Sequence, residues 1–363
     1  ESRDGLKVGG HQASCASMTT ILTALYFHAL RPQDRVAVKP HASPVFHAAQ
    51  YLMGRQTRQQ LEDFRSFGGA QSYPSRTKDR DDVDFSTGSV GLGVAITAFA
   101  SLTQDYLKAH GWLDPAREGR MVATLGDAEL DEGNIYECLI EAYKHDIRNC
   151  WWIVDYNRQS LDATTADRMF DRFDDIFETA GWRVVTLKWG KVQEAAFARP
   201  GGAALRDWIE ACSNAEYAAL TYQGGAAWRQ RLMRDLGRQK GVPALLQSFT
   251  DAELHQLMIG LGGHCIETLT EAFDAAAQDD KPTLFIAYTV KGFGLPLQGH
   301  KDNHAGLMTS AQVEALRESL GVPPGAEWEP YAGLPPDEAE ALRAFVAQAP
   351  FAQDAERRPA AAP

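Results

Sequence analysis

No apolar run in this 363-residue chain is long enough to cross a membrane as a helix, and no signal-peptide pattern is visible. Cysteine is scarce. The five thiols, Cys15, Cys138, Cys150, Cys212 and Cys265, are odd in number, well separated and form no CxxC pair. That argues against a disulfide framework or a zinc site and for a reducing, cytoplasmic setting. Positive charge is also short: 36 Lys and Arg face 48 Asp and Glu, a net charge of −12. General nucleic-acid binding needs a basic surface and is not expected. An anionic cofactor is still allowed, because a site can be locally positive or use a metal. There is no internal repeat. The chain begins at Glu1 rather than methionine, so a processed product or a piece of something longer is expected.

What is present is an alternation of short apolar runs with longer helical patterns. The strand candidates are "RVAVKP" from Arg35, "MVATLG" from Met121, "WWIVDY" from Trp151, "RVVTLKW" from Arg183 and "TLFIAYTV" from Thr283. They are nearly continuous in apolar and β-branched residues, as strands covered on both faces are. Helical periodicity falls at about 15–31, 90–111, 132–148 and 263–279. The expected fold is α/β, a parallel sheet flanked by helices on both faces, which binds ligands beyond the carboxyl ends of its strands. Residues 1–349 read as one domain, with a helical insertion at about 198–262 between the fourth and fifth strands. Residues 350–363 read as a linker or frayed tail.

The stretch from Gly126 to Asn157 carries the first chemical signal. The second strand should end at Asp127 and the third at Tyr156, with Asn157 next. Between them Ile135, Leu139, Ile140 and Tyr143 recur at helical spacing and should pack on the sheet. In a right-handed strand–helix–strand unit both strands point the same way, so Asp127 and Asn157 should meet at one sheet edge. A carboxylate and a carboxamide oxygen there suit Mg²⁺ or Ca²⁺, and such an ion would hold a diphosphate. The competing reading is that Asp127 caps a helix and Asn157 makes a turn.

A Gly-Asp at a strand end followed some thirty residues on by Asn is similar to the thiamine-diphosphate motif, with Ala128 where a second glycine is usual and Asp155 where Asn is common. Further stretches extend the likeness: "KVGGHQASCAS" (7–17), "PHASPVFHAAQYLMG" (40–54), "QSYPSR" (71–76), "STGSVGLG" (86–93), "AGWRVVTLKWG" (180–190), "NAEYAALTYQGGAAWRQRL" (214–232) and "YTVKGFGLPLQGHKDNHAGLM" (288–308). In this order they resemble the amino-terminal, diphosphate-binding part of the transketolase superfamily, nearest to the homodimeric bacterial pyruvate dehydrogenase, decarboxylating component.

The resemblance implies roles. Asp127, Asn157 and the backbone carbonyl of Gln159 correspond to the metal ligands. Gly88 and Val90 lie in the segment whose backbone binds the aminopyrimidine. Gly126, Ala128 and Glu129 flank Asp127 and are assigned with it to the cofactor. Ser14, Tyr73 and Lys291 match residues near the cofactor or substrate. His11, His41 and His304 fall where the family places active-site histidines, with His300 close by. Histidine suits the proton transfers expected there. His28, His47, His110, His145, His255 and His264 read as structural or surface residues.

Thiamine diphosphate with Mg²⁺ or Ca²⁺ is thus the implied cofactor pair. A small 2-oxo acid is the implied substrate, a lipoyl-bearing acyltransferase the implied acceptor. The family also needs a pyrimidine-binding domain, on a second chain or on a missing C-terminal part, usually within a homodimer or larger oligomer. The chain alone is expected to be inactive. Two alternatives stand beside this reading: a transketolase moving two-carbon units between sugar phosphates, and a non-catalytic assembly subunit. Arg76, Lys78 and Arg80 could form a phosphate-binding rim, but Asp79, Asp81, Asp82 and Asp84 dilute it.

Overall fold

The five apolar runs form one parallel sheet. In the computed structural model, which describes residues 11–160, 163–167 and 169–353, the strands are β1 (Arg35–Ala37), β2 (Met121–Gly126), β3 (Cys150–Tyr156), β4 (Arg183–Leu187) and β5 (Thr283–Tyr288). Their order is β1-β2-β3-β5-β4, so the last strand inserts between the third and fourth. A two-residue antiparallel ribbon, Gln159–Ser160 with Ala163–Thr164, follows β3.

Strand β3 explains why helices cover both faces. Every residue in it is buried, and side chains alternate from face to face along a strand. Trp151 and Ile153 enter one core, with Met18, Ile21 and Leu22 of helix α1 (Gln12–Ala24) and with Leu269 and Phe273 of a helix near the carboxyl end, Ile266–Ala276. Cys150, Trp152 and Val154 enter the other. There they meet Val94 and Ala98 of helix α2 (Leu92–Ala109), Ile135 and Leu139 of α3 (Gly133–Lys144), and Phe170, Phe173 and Phe177 of α4 (Met169–Thr179). Each such large apolar side chain contributes roughly 1.5–3 kcal/mol on burial.

The helical periodicity gave the right helix at α3 but only half of its buried face. Ile135 and Leu139 are buried as expected, together with Cys138 and Ala142, whereas Ile140 and Tyr143 are 52% and 65% exposed. The helix also stops at Lys144, short of 148, because Asp146 and Asn149 take positive φ angles of 44° and 53° and turn the chain back into β3. Helix α1 starts earlier than the periodicity indicates, and its last turn, Leu25–Ala29, widens to a π-helix.

Six helices lie between Lys191 and Ile259, spanning most of the expected insertion, and they enclose a third core around Trp228, Leu232 and Leu254. After β5 come helices Ser310–Ser319 and Pro336–Gln348, followed by a turn in which Phe351 is buried. The rest of the expected tail, 354–363, lies outside the described residues, as does the "KVGG" that precedes His11. Among the described residues no helix is long and apolar enough to cross a membrane.

Candidate cofactor and active site

Parallel pairing of β2 and β3 sets Gly126 opposite Asp155. Asp127 follows Gly126 directly and Asn157 follows Asp155 by two residues, so both leave the sheet at the same edge. Asp127 Oδ2 accepts the backbone N–H of Arg158 at 2.7 Å, and Oδ1 accepts that of Ala128 at 2.9 Å. Asn157 is equally buried, and its Oδ1 accepts the Gln159 N–H at 3.1 Å. Burial pushes the Asp127 carboxyl up to about 7, with Asp155 adding to the rise and Lys39 opposing it. A divalent cation between these oxygens would offset that cost. Ala128 is not among the residues with positive φ, so a side chain is tolerated where the motif usually has glycine.

Sequence reasoning noticed Asp155 only as a departure and missed Lys39. The two form a buried ion pair, Lys39 Nζ to Asp155 Oδ2 at 2.7 Å. Burial alone would raise the Asp155 carboxyl; the Lys39 ammonium reverses this and holds it below the usual carboxylate range. Asp155 also accepts bonds from Ser17 Oγ at 2.7 Å, from Thr289 Oγ1, and from Asn157 Nδ2 at 3.1 Å. The last contact orients the Asn157 carboxamide. Gly126 leaves room for the lysine: a Cβ there would lie 3.2 Å from Lys39 Cε and Nζ. The available signal was positional, since Lys39 sits just beyond β1, two residues before His41.

Glu129 acts as a bracket. Its two carboxylate oxygens accept the N–H groups of Gly91 at 2.8 Å and Gly126 at 3.2 Å. Gly91, at φ 79°, precedes α2, and a Cβ there would lie 2.3 Å from Asn134 Oδ1. The segment holding Gly88 and Val90 is thereby tied to the end of β2. Tyr73 is half exposed and packs beside Gly88. The loop that carries it is held by His47, whose ring contacts Asp81 Oδ2 at 2.5 Å and the Gln71 carbonyl at 2.8 Å.

A cavity of about 250 Å³ opens beside these groups. Asp127, Asn157, Gln159, Ser14, His41, Gly88, Val90, Gly126, Ala128, Glu129, Lys291 and His304 all line it, with Lys39. His11 is not among the lining residues but lies tilted against His41 with ring centroids 3.9 Å apart, and His304 lies 4.9 Å from His11 and 5.5 Å from His41. His41 is driven down to about 3 by burial and by the surrounding His11, Lys39, His304 and Lys291, so it is neutral. Tyr73 and His300 do not line the cavity. His300 caps the turn Lys301–Asn303 through Nδ1 and meets the Tyr222 ring at 4.6 Å.

The donor set suits a metal-bound diphosphate. Asp127 and Asn157 offer hard oxygens. Ser14 Oγ, buried in the cavity wall, has no hydrogen-bond partner among the described residues. Comparison with known proteins places the chain in a family. The family described as "Transketolase, thiamine diphosphate binding domain" matches residues 9–198 and 245–350, passing over the middle of the helical insertion. The pyruvate dehydrogenase E1 component of Corynebacterium glutamicum is 27% identical over 354 residues, which cover 92% of this chain and 38% of that protein. The E1 component of Mycolicibacterium smegmatis is 29% identical over 329 residues, 87% of this chain and 35% of that one. The chain thus spans little more than a third of these relatives. Among solved structures, a transketolase from Leishmania mexicana superposes with a TM-score of 0.60 at 16% identity, covering 93% of this chain and 43% of that chain, which speaks for the fold. The chain belongs to the transketolase thiamine diphosphate-binding domain family.

Proposed function

We propose that this chain supplies the diphosphate- and metal-binding half of a 2-oxo-acid dehydrogenase acting on pyruvate or a close homologue. The observation that carries the reading is the convergence of Asp127 and Asn157 on a cavity shared with His41 and His304. Asp127, Asn157 and the Gln159 carbonyl would hold Mg²⁺ or Ca²⁺, and Gly88 and Val90 the aminopyrimidine. Thiamine diphosphate, when bound, supplies the carbon nucleophile and the electron sink for decarboxylation. The protein orients substrate and moves protons. His11, His41 and His304 form a compact set of ring nitrogens suited to meet a 2-oxo group and the negative charge that develops on its oxygen. The E1 relatives support a pyruvate-type substrate over a sugar phosphate.

The half-site reading also rests on surface. Leu92, Ile96 and Phe99 of α2 and Ile140 and Tyr143 of α3 are exposed, on two helices that pack together. An apolar surface of this kind suits a partner. The pyrimidine-binding domain, on a second chain or a further part of the same one, is the partner proposed, in a homodimer or larger cytoplasmic assembly that passes its acyl product to a lipoyl-bearing acyltransferase. Turnover of pyruvate with an artificial electron acceptor tests this. The chain should be inactive alone and active once joined to a pyrimidine-binding domain; robust activity alone would overturn it.

One observation favours transketolase chemistry as the second reading. Three of the four aspartates expected to dilute the Arg76, Lys78 and Arg80 rim are turned inward: Asp79 accepts backbone N–H groups of Gln71 and Ser75, Asp81 meets His47, and Asp84 accepts the Val36 N–H. The three basic residues are exposed. A panel of 2-oxo acids and ketose phosphates with the reconstituted enzyme separates the two. A non-catalytic assembly role, the third reading, predicts no metal-dependent thiamine diphosphate binding by calorimetry even with a partner present.

A further inference from the structure

Lys291 Nζ lies 3.1 Å from His304 Nδ1. An ammonium has three donors and no acceptor, so in this contact Nδ1 must accept. An imidazolium cannot, because both its nitrogens donate. The neutral ring then carries its proton on Nε2. The contact is built into the loop after β5. Lys291 is buried, and its backbone carbonyl accepts Asn303 Nδ2 at 3.0 Å and the Gly299 N–H at 3.1 Å. Asn303 immediately precedes His304, so the backbone carrying the ring is fastened to the backbone carrying the ammonium.

We infer that Lys291 is a positioning residue that locks His304 in its Nε2–H tautomer, so that His304 serves the cavity as a hydrogen-bond donor and not as a base. The inference deepens the proposed function and rests on the imidazole cluster being the reacting face. It divides labour within that cluster: a proton taken up in the reaction does not go to His304, which instead stabilises negative charge on the substrate oxygen. It also gives Lys291 a task short of contacting substrate.

The test reads the tautomer directly and needs neither cofactor nor turnover. The intact chain is labelled with ¹⁵N-histidine, and long-range ¹⁵N–¹H correlations are recorded at neutral pH, with His304→Gln to assign the resonances. His304 should show a protonated Nε2 and an unprotonated Nδ1, in about tenfold or greater preference, as expected for a hydrogen bond from a charged donor. In Lys291→Met that preference should fall to near parity. Lys291→Arg should retain it, since a guanidinium also only donates. A protonated Nδ1 in the unmodified chain, or an unchanged pattern in Lys291→Met, overturns the inference. An enzyme inactive toward 2-oxo acids but with the expected tautomer would sink the functional reading alone.

Discussion

Two cavities flank the end of β3, and the larger is not the one to which the chemistry is assigned in our proposal. The larger, about 640 Å³, lies between β3, β4 and the inserted helices and is lined by Arg158, Asp167, Asp171, Lys188, Asp207 and Glu210 among others. Its charges are mostly at the surface and answer one another: Lys188 pairs with Glu210 at 2.5 Å, and the Arg158 guanidinium lies over the Tyr217 ring at 4.1 Å. The smaller, about 250 Å³, is lined by the buried carboxylates Asp127 and Glu129, by the lysine of a buried ion pair and by two of the three clustered imidazoles. Volume therefore says little about function here. Desolvated groups with displaced titration, converging from different strands, say more. The two regions meet at Arg158, whose N–H binds Asp127 while its side chain lines the other cavity.

Asp127→Ala should sharpen the comparison most, lowering metal-dependent thiamine diphosphate affinity by about 100-fold or more in calorimetry. Asp207→Ala, in the larger cavity, should leave it unchanged; an equal loss in both variants would erase the distinction. Next in size is the buried pair. Lys39→Met leaves Asp155 without its counter-ion and should cost roughly 3–5 kcal/mol in denaturant unfolding. The double variant Lys39→Gln, Asp155→Asn should recover much of that loss, and Lys188→Met should cost no more than about 1 kcal/mol.

The smallest expected effect is on pH dependence. His41 and His264 are both driven down to about 3, chiefly by burial, below the ordinary histidine value. Below about pH 6.5 the unfolded chain binds protons that these folded rings exclude, so stability falls with acid through that window. Among the described residues His264 accepts the Val290 N–H at 2.8 Å and stacks on Phe293. His264→Gln should flatten the loss measured by urea unfolding between pH 7 and pH 5. A slope unchanged by the substitution would assign the acid sensitivity elsewhere.

The strands were legible because apolar, β-branched runs such as "WWIVDY" have few alternatives to a doubly covered strand. Helix faces were less so. Ile140 and Tyr143 fit the apolar period of α3, yet the small Cys138 and Ala142 take the buried positions, and periodicity alone cannot tell a core from a surface awaiting a partner. Asp127, Asn157, His41 and His304 could be brought together because strand ends and ordered motifs located them. Lys39 could not, because its significance lies wholly in its contact with Asp155, 116 positions away. Likewise Glu129 bridges Gly91 and Gly126, a job that no local spacing announces.

The pairing of Gly126 with Asp155 has a consequence for how such a chain can vary. Adding a turn to α3, or trimming one, need not disturb the two oxygen donors, since the helix only returns the chain to the sheet. Sliding β3 by a single residue would turn Asn157 to the opposite face and strand Lys39 without its anion. Tolerance of length in the crossover, and intolerance of slippage between neighbouring strands, should be the rule for insertions and deletions in this part of the protein.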